Sequence, residues 1–451
     1  MTAGIGRWGR GQPLGWLRRL AGVAALGVTA GCSTATDDDA DEHELVVGML
    51  VQQDGLYYTQ QEVGAVVLAM RQINAAGGLT LDGVDYQLTV RAEDHESNAA
   101  GAVRALARLS ESGVTTTIGP PWSSLALGDE PDHSDGVSLK ARDYDMLLIS
   151  SSATAPTITD LADDDLQWRT IPSDIVQASI ASDELLSRGL TRVALLYRDD
   201  AWGQELSAAF TAAFEAGGGE VLADVHYDAS GEQVEDLNAY DYDAELDAVF
   251  AEQPQVVLLY SFDELSQITN RIAVGEYLGR YAEAPPRFFG TEASVTSTVL
   301  VNGAPEVMQF MEGISPTADE ADPYYRDFER WMTAAELNID DNTAAARYDA
   351  VFCLAAAAQK ANSRLADDIK LELQAISRQD GDEITVHPGE WAKAKAALLA
   401  GEDINYDGVS GRIEFSDRGD PTTGLYSIWS LVPGKSGKFV IEPSKTVPFG
   451  D

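Results

Sequence analysis

The chain has 451 residues, 45% of them hydrophobic, and a net charge of −42 from 73 acidic and 31 basic residues. This length accommodates two ordinary domains or one large bilobal domain, and the composition is globular rather than fibrous or disordered. The acidic balance argues against a nucleic-acid-binding surface, which requires a basic stripe, and indicates a solvated acidic exterior.

Residues 1–31 are typical of a secretory signal. They contain four arginines and no acidic residue. The apolar run LAGVAALGVTA follows the last arginine within this segment, and it is too short to span a bilayer as a stable helix. The run ends in TAGC, which resembles a bacterial lipobox, and this resemblance implies that Cys32 carries a lipid. Residues 32–44 are polar, acidic and without periodicity, so we expect a flexible tether there.

The rest of the chain shows no further segment of 18 uncharged apolar residues, so we expect it to be soluble. The second cysteine, Cys353, lies in an apolar helical run, where a small buried thiol is expected and no disulfide is required.

Short apolar runs alternate with longer helical patterns from Leu45 onward. We predict strands at 44–51, 86–94, 114–120, 146–152, 192–200, 220–228, 255–262 and 287–293. We predict helices at 61–78, 99–113, 175–189, 203–219, 242–253 and 264–279. Such repeated βα units predict an α/β fold with two doubly wound parallel-sheet lobes.

Three of the predicted strands end in turns of small and hydroxyl-bearing residues: GPPWSS at 119–124, SSSATAP at 150–156, and GTEA at 290–293. Ligands of open α/β sheets bind beyond the carboxyl ends of the strands. The first two turns belong to the first predicted lobe and the third to the second lobe. We therefore expect the three turns to face one another across a cleft.

The order and spacing of several segments resemble the leucine/isoleucine/valine-binding type of periplasmic substrate-binding proteins, which have the type I binding fold and serve ABC importers. The matching segments include VVGMLVQQDG, IGPPWSS, LLISSSATAPTIT, WRTIPSD, FFGTEA and YDGVSGRIEFSDRGD, spread over roughly residues 45–440. The resemblance implies two lobes joined by a hinge that closes on a small-molecule ligand. It implies these lobe boundaries: 45–172 with 316–412, and 173–315 with 413–451.

The resemblance also implies which residues hold an amino acid. Ser123 falls where a hydroxyl and a backbone N–H bind the ligand carboxylate. Ser152 falls where a backbone carbonyl accepts from the ligand ammonium, and Thr154 adds a polar contact. Glu292 falls on the glutamate that binds the ammonium. These residue types suit the chemistry, since a carboxylate needs N–H donors and an ammonium needs a carboxylate and neutral acceptors.

Aromatic positions of the same family close over the ligand, and Tyr57, Trp202 and Phe262 match them. Trp122 lies beside Ser123, where its large ring would reshape the pocket for the ligand side chain. The ligand therefore stays open: a branched aliphatic amino acid, another amino acid, or an amide-like solute.

Other functions are less favoured by the residues. The five histidines are scattered, and no G-x-S-x-G, H-E-x-x-H or phosphate-loop motif occurs, which disfavours an enzyme. DINYDGVSGRIE, at 403–414, has the spacing of a calcium loop, but we expect a glycine-rich turn and neither metal nor cofactor. The expected partner is an ABC permease in the inner membrane, and a sensing or envelope-regulatory lipoprotein of the same fold is the alternative.

Overall fold

Two large β-sheets flanked by helices organise the chain in the computed structural model, which describes residues 44–52, 56–228, 240–282, 284–337, 343–378, 381, 383–434 and 438–450. In the helix that begins at Leu56, side chains are described from residue 63 onward. The signal, Cys32 and the predicted tether up to residue 43 lie outside the described residues.

The first sheet has six strands in the order β2-β3-β1-β4-β5-β6. The strands are β1 (Glu44–Val51), β2 (Leu79–Leu81), β3 (Val84–Asp94), β4 (Thr116–Ile118), β5 (Leu147–Ser150) and β6 (Gln167–Arg169). β1 pairs in parallel with both β3 and β4, and β4, β5 and β6 continue in parallel. The edge strand β2 is antiparallel to β3.

The second sheet has seven strands in the order β16-β15-β11-β10-β9-β7-β8. The strands are β7 (Arg192–Arg198), β8 (Glu220–Tyr227), β9 (Val256–Tyr260), β10 (Arg287–Gly290), β11 (Met311–Thr317), β15 (Gly424–Pro433) and β16 (Phe439–Phe449). β7 to β11 are parallel, whereas β15 is antiparallel to both β11 and β16. Both lobes are thus α/β as predicted, with mainly parallel rather than wholly parallel sheets.

A small third sheet, absent from the sequence prediction, joins β12 (Ile384–Val386), β13 (Ile404–Gly408) and β14 (Gly411–Arg412). The described α-helices are α1 (Leu56–Ala75), α2 (Ala99–Glu111), α3 (Ser123–Leu127), α4 (Val137–Lys140), α5 (Asp174–Ser187), α6 (Ala201–Ala216), α7 (Asp243–Phe250), α8 (Leu265–Val274), α9 (Ser297–Asn302), α10 (Pro305–Met308), α11 (Pro323–Ala334), α12 (Ala344–Ala361), α13 (Ala366–Leu373) and α14 (Trp391–Leu399).

Side chains alternate across the second sheet, so that each face packs its own core. Ala194 and Leu196 of β7 belong to one buried cluster, and Val193 and Leu195 to the other. This is the period-2 pattern of a strand that is covered on both faces. A separate cluster surrounds the first sheet and includes α12, which is buried along most of its length.

Along the chain, the buried side chains pass from one hydrophobic core cluster to another at the segments that connect the lobes. Ile413 and Phe415 pack in the cluster of the first sheet, although the predicted boundary of that lobe was 412. We propose that the third crossing lies between Phe415 and β15, because both side chains are buried on the first-lobe side. The other predicted boundaries stay proposals.

None of the described helices is long and apolar enough to cross a membrane.

Candidate functional site

A cleft of about 310 Å³ lies between the carboxyl ends of the two large sheets. Seven of the eight predicted ligand residues line it: Trp122, Ser123, Ser152, Thr154, Trp202, Phe262 and Glu292. The side chain of Tyr57, the eighth, lies outside the described residues. The fold therefore brings the three small-residue turns together as expected, and the role of each residue in binding stays a prediction.

Ser123 begins the short helix α3, directly after the turn that follows β4. Its hydroxyl oxygen accepts hydrogen bonds from the backbone N–H groups of Thr154 and Ala155, at 3.1 Å each. A hydroxyl has two acceptor lone pairs and one proton, so the Ser123 proton is left to donate. Together with the first backbone N–H groups of α3, this proton makes the turn a donor of hydrogen bonds.

The turn after β5 has the opposite hydrogen-bond polarity. Ser152 donates its hydroxyl proton to the Pro121 carbonyl at 2.8 Å, and Thr154 donates to Asp174 Oδ2 at 2.8 Å. With their protons bound to these acceptors, the two hydroxyl oxygens retain only lone pairs for a ligand. This turn therefore accepts hydrogen bonds where the Ser123 turn donates them.

Glu292 begins a short 3₁₀ turn directly after β10 and faces the cleft. Thr291 and Ser294 cap this turn reciprocally, which fixes the backbone that carries the glutamate. One of its oxygens, Oε2, is buried without a hydrogen-bond partner among the described residues. Burial raises the pKa of the Glu292 carboxyl to about 7, against the opposing effect of a hydrogen bond from its own backbone N–H. A cation in the cleft would satisfy this group.

Asp174 is a second carboxylate near the cleft, which the sequence analysis missed. It is fully buried at the start of α5, and its backbone N–H donates to the Thr154 carbonyl at 2.9 Å. Burial first, and then the negative charge of Glu292, raise the pKa of Asp174 well above its usual value. In the sequence, Ser173-Asp174 is typical of a helix cap followed by an acid in the first turn, so nothing indicated a neighbouring carboxylate.

Aromatic side chains form one wall of the cleft. The rings of Trp202 and Phe262 stack with centroids 5.0 Å apart, and the Arg198 guanidinium lies 4.4 Å from the Phe262 centroid. Arg198 also forms ion pairs with Asp200 and Glu264, which hold it beside the wall. This wall offers apolar surface to a ligand side chain.

The charged residues that line the cleft are mostly acidic. Besides Glu292, carboxylates come from Asp200, Asp263 and Glu264, and Arg347 contributes the one basic side chain among the described lining residues. Nothing in the sequence singled out Arg347, because it lies in the apolar, alanine-rich pattern of α12. Asp200 and Glu264 are already paired with Arg198. The preference for a ligand with a positive group over a simple anion therefore comes from Glu292, whose Oε2 is buried without a hydrogen-bond partner among the described residues.

The segment 403–414 folds as a hairpin, with β13 and β14 paired across the turn. Asp349 of α12 holds this turn, accepting from Tyr406 Oη at 2.6 Å and from the backbone N–H groups of Val409 and Ser410 at 2.9 and 2.7 Å. The predicted glycine-rich turn is confirmed. Within the described part of the chain, no group of three or more His, Cys, Asp or Glu side chains is arranged to hold a metal ion.

The chain belongs to the family described as receptor family ligand binding region, whose sequence profile matches residues 61–434. It is similar to the chemotactic signal transduction system substrate-binding protein BasB of Halobacterium salinarum, with 24% identity covering 92% of this chain and 86% of BasB. It is also 25% identical over 228 residues to an uncharacterised protein of Methanocaldococcus jannaschii, and that match covers 48% of this chain and about half, 52%, of the relative.

Solved structures share the fold. The branched-chain amino acid transporter substrate-binding protein LivJ of Streptococcus pneumoniae, in complex with isoleucine, has a TM-score of 0.65 at 20% identity, covering 89% of this chain and 99% of LivJ. A solute-binding protein of an ABC transporter from R. palustris, in complex with benzoate, has a TM-score of 0.65 at 17% identity. The match covers 90% of this chain and 98% of the R. palustris protein. The resemblance to periplasmic binding proteins of the type I fold is confirmed.

We expect Ser123→Ala to lower the free energy of unfolding by about 1–3 kcal/mol, because two buried backbone N–H groups lose their acceptor. The matched control is Ser124→Ala, since Ser124 also lines the cleft but its hydroxyl has no hydrogen bond among the described residues. Urea unfolding of both variants measures the difference. Equal stabilities of the two variants would show that the Ser123 hydroxyl does not anchor the neighbouring turn.

Proposed function

We propose that this protein is an extracytoplasmic solute-binding lipoprotein that captures an amino acid between its two lobes and delivers it to an ABC importer. The observation that carries the proposal is the opposite hydrogen-bond polarity of two adjacent turns. The Ser123 turn offers donors for a carboxylate, whereas Ser152 and Thr154 offer acceptors for an ammonium. Glu292 supplies the countercharge on the ammonium side.

This arrangement favours an amino acid over an aromatic acid such as the benzoate bound by the R. palustris protein. A benzoate has one anionic group, so it would leave Glu292 either protonated or as a buried carboxylate without a countercharge, and the second state is costly. A zwitterion satisfies both ends of the site. The wall of Trp202 and Phe262 then faces the ligand side chain, and it suits an apolar group.

A thermal-shift panel tests the proposal. Each common amino acid is compared with benzoate and with the matching amine and carboxylic acid that each lack one end of the zwitterion. A ligand present at about 100 times its Kd stabilises the folded state by about 2.7 kcal/mol. We expect at least one amino acid to raise Tm while its two half-molecules and benzoate do not. A shift with benzoate and none with any amino acid would refute the zwitterion model.

Binding rather than catalysis is supported by the relatives, because BasB, LivJ and the benzoate-binding protein are all described as binding or transport proteins. Sensing is the second candidate function, and the match to BasB over 92% of this chain favours it. Deleting the gene and measuring both uptake of the identified amino acid and chemotaxis towards it distinguishes the two. Loss of uptake supports delivery to an importer, and loss of chemotaxis alone supports sensing.

Lipid anchoring through Cys32 is part of the proposal, on the strength of the arginine-containing leader and the TAGC segment. We expect Cys32→Ser to move the protein from the membrane fraction to the soluble fraction, because the thiol that would carry the lipid is gone. Cell fractionation with immunodetection measures this. Cys353→Ser is the control, since that thiol is buried in α12. A wild-type protein that is already soluble with an intact N-terminus would contradict the anchor.

A further inference from the structure

Arg198 ends β7 and lies behind the aromatic wall of the cleft, without itself being one of the residues that line the cleft. Its side chain is 12% exposed and forms ion pairs with Asp200 Oδ2 at 2.8 Å and with Glu264 Oε1. Asp200 and Glu264 both line the cleft. One mostly buried cation therefore holds two carboxylates of the ligand site.

The bond to Asp200 fixes the start of α6, which carries Trp202. Asp200 Oδ1 accepts from the Gly203 backbone N–H at 3.0 Å, so the same carboxylate caps the helix and holds Arg198. The helix start also packs closely on the end of β7, because a side-chain carbon at Gly203 would lie 2.2 Å from the Arg198 carbonyl oxygen. Trp202 is thus placed by a turn that Arg198 closes.

The bond to Glu264 fixes the segment after β9, which carries Phe262. Glu264 Oε1 also accepts from Tyr227 Oη at 2.8 Å. The Arg198 guanidinium carbon lies 4.4 Å from the centroid of the Phe262 ring, a distance at which a cation and an aromatic face attract each other. Phe262 in turn stacks on Trp202 with the ring planes 12° apart. Arg198 therefore joins the two segments that form the aromatic wall.

The same contacts decide how much negative charge the wall presents. Arg198 and the two ionised carboxylates of Asp200 and Glu264 together carry a net charge of −1, which becomes −2 if a neutral residue replaces the arginine. Two carboxylates without their cation, beside two aromatic rings, would favour a positively charged group of the ligand. With Arg198 in place, the carboxylates are already paired and the rings remain as apolar surface.

We propose that Arg198 is a positioning residue that selects a ligand with an apolar side chain over one with a cationic side chain. It holds Phe262 flat against Trp202, and it keeps Asp200 and Glu264 paired, so that neither carboxylate is open to a positive group of the ligand. Arg198 acts only through these four residues. The inference rests on the proposed function, because the selected side chain belongs to the amino acid captured in the cleft.

L-norleucine and L-lysine are the matched probes for this selection. They share the amino-acid backbone and a straight side chain of four carbons, and they differ by the ammonium group of lysine. Calorimetric titration with each probe gives the ratio of the two dissociation constants, and L-alanine reports the binding of the shared backbone. We expect the wild type to bind norleucine more tightly than lysine, since Arg198 repels a second cation at the wall.

Arg198→Met removes the guanidinium charge. We expect the preference to move towards lysine by about tenfold or more, because the two carboxylates then lack their cation. Arg198→Lys retains the charge but loses the planar contact with Phe262, and it tests the positioning role even where Arg198→Met is poorly folded. In this variant we expect norleucine to bind about two- to fivefold more weakly, with alanine binding unchanged.

Arg271→Met is the matched control, because Arg271 also pairs with two carboxylates, Asp241 and Asp243, but is 41% exposed and does not line the cleft. All three dissociation constants should equal those of the wild type.

Two results in the variants would overturn the inference and leave amino-acid capture intact. One is an unchanged ratio of norleucine to lysine binding in Arg198→Met, and the other is an equal loss of norleucine and alanine binding in Arg198→Lys. A wild type that binds a charged amino acid more tightly than norleucine would also overturn it. Absence of binding of any amino acid would instead overturn the proposed function.

Discussion

Replacing Glu292 with glutamine is expected to weaken amino-acid binding by about 2–5 kcal/mol, or about thirtyfold to several thousandfold in Kd. Glutamine retains the size of the side chain and its hydrogen-bonding capacity but removes the negative charge. The ligand ammonium would then be buried beside Ser152 and Thr154, whose oxygens are neutral acceptors. Neutral acceptors alone do not offset the loss of hydration of a buried cation.

Calorimetric titration of the wild type and of Glu292→Gln measures this loss. Glu306→Gln is the matched control, because Glu306 is an exposed glutamate of the same lobe at the start of α10. Its affinity should equal that of the wild type. If Glu292→Gln also binds like the wild type, the ammonium does not lie at Glu292, and the main reason for proposing an amino acid as ligand is lost.

The second large effect is expected in stability. Arg169→Met should lower the free energy of unfolding by about 3–5 kcal/mol, because it removes one partner of a buried ion pair and leaves Asp420 uncompensated. The Arg169 side chain has 0% exposure and the Asp420 side chain 14%. The same guanidinium donates to the Ala155 carbonyl at 2.9 Å, so its loss also loosens the turn that carries Thr154.

Urea denaturation measures the change in the free energy of unfolding. Arg192→Met is the matched control, since Arg192 pairs with Glu220 at 47% and 65% exposure, where an ion pair contributes less than about 1 kcal/mol. Arg169→Lys should be intermediate, because an ammonium cannot reproduce the planar fork that reaches several acceptors. Similar stabilities of Arg169→Met and Arg192→Met would show that the pair with Asp420 is dispensable.

The segments with clear periodicity were predicted well. The buried run of β9 and the amphipathic pattern of α2 are local properties, and each appears in the structure close to its expected bounds. The small third sheet was missed because β12 and β14 are only three and two residues long, too short to show a period. The antiparallel edges of both large sheets were also missed, since strand direction depends on how the chain returns and not on the composition of the strand.

The amino-acid sequence by itself determined the α/β alternation and the three small-residue turns, which meet at the cleft because strand ends in parallel sheets converge on one edge. The individual ligand residues there were implied by the family resemblance. Only the tertiary structure decided the chemistry of those turns. Ser123, Ser152 and Thr154 have similar hydroxyls, and their opposite hydrogen-bond polarities arise from partners up to 32 residues away, such as Ala155. Likewise, Asp174 and Glu292 are far apart in the chain, and the burial that raises the pKa of each carboxyl is a tertiary property that no local pattern encodes.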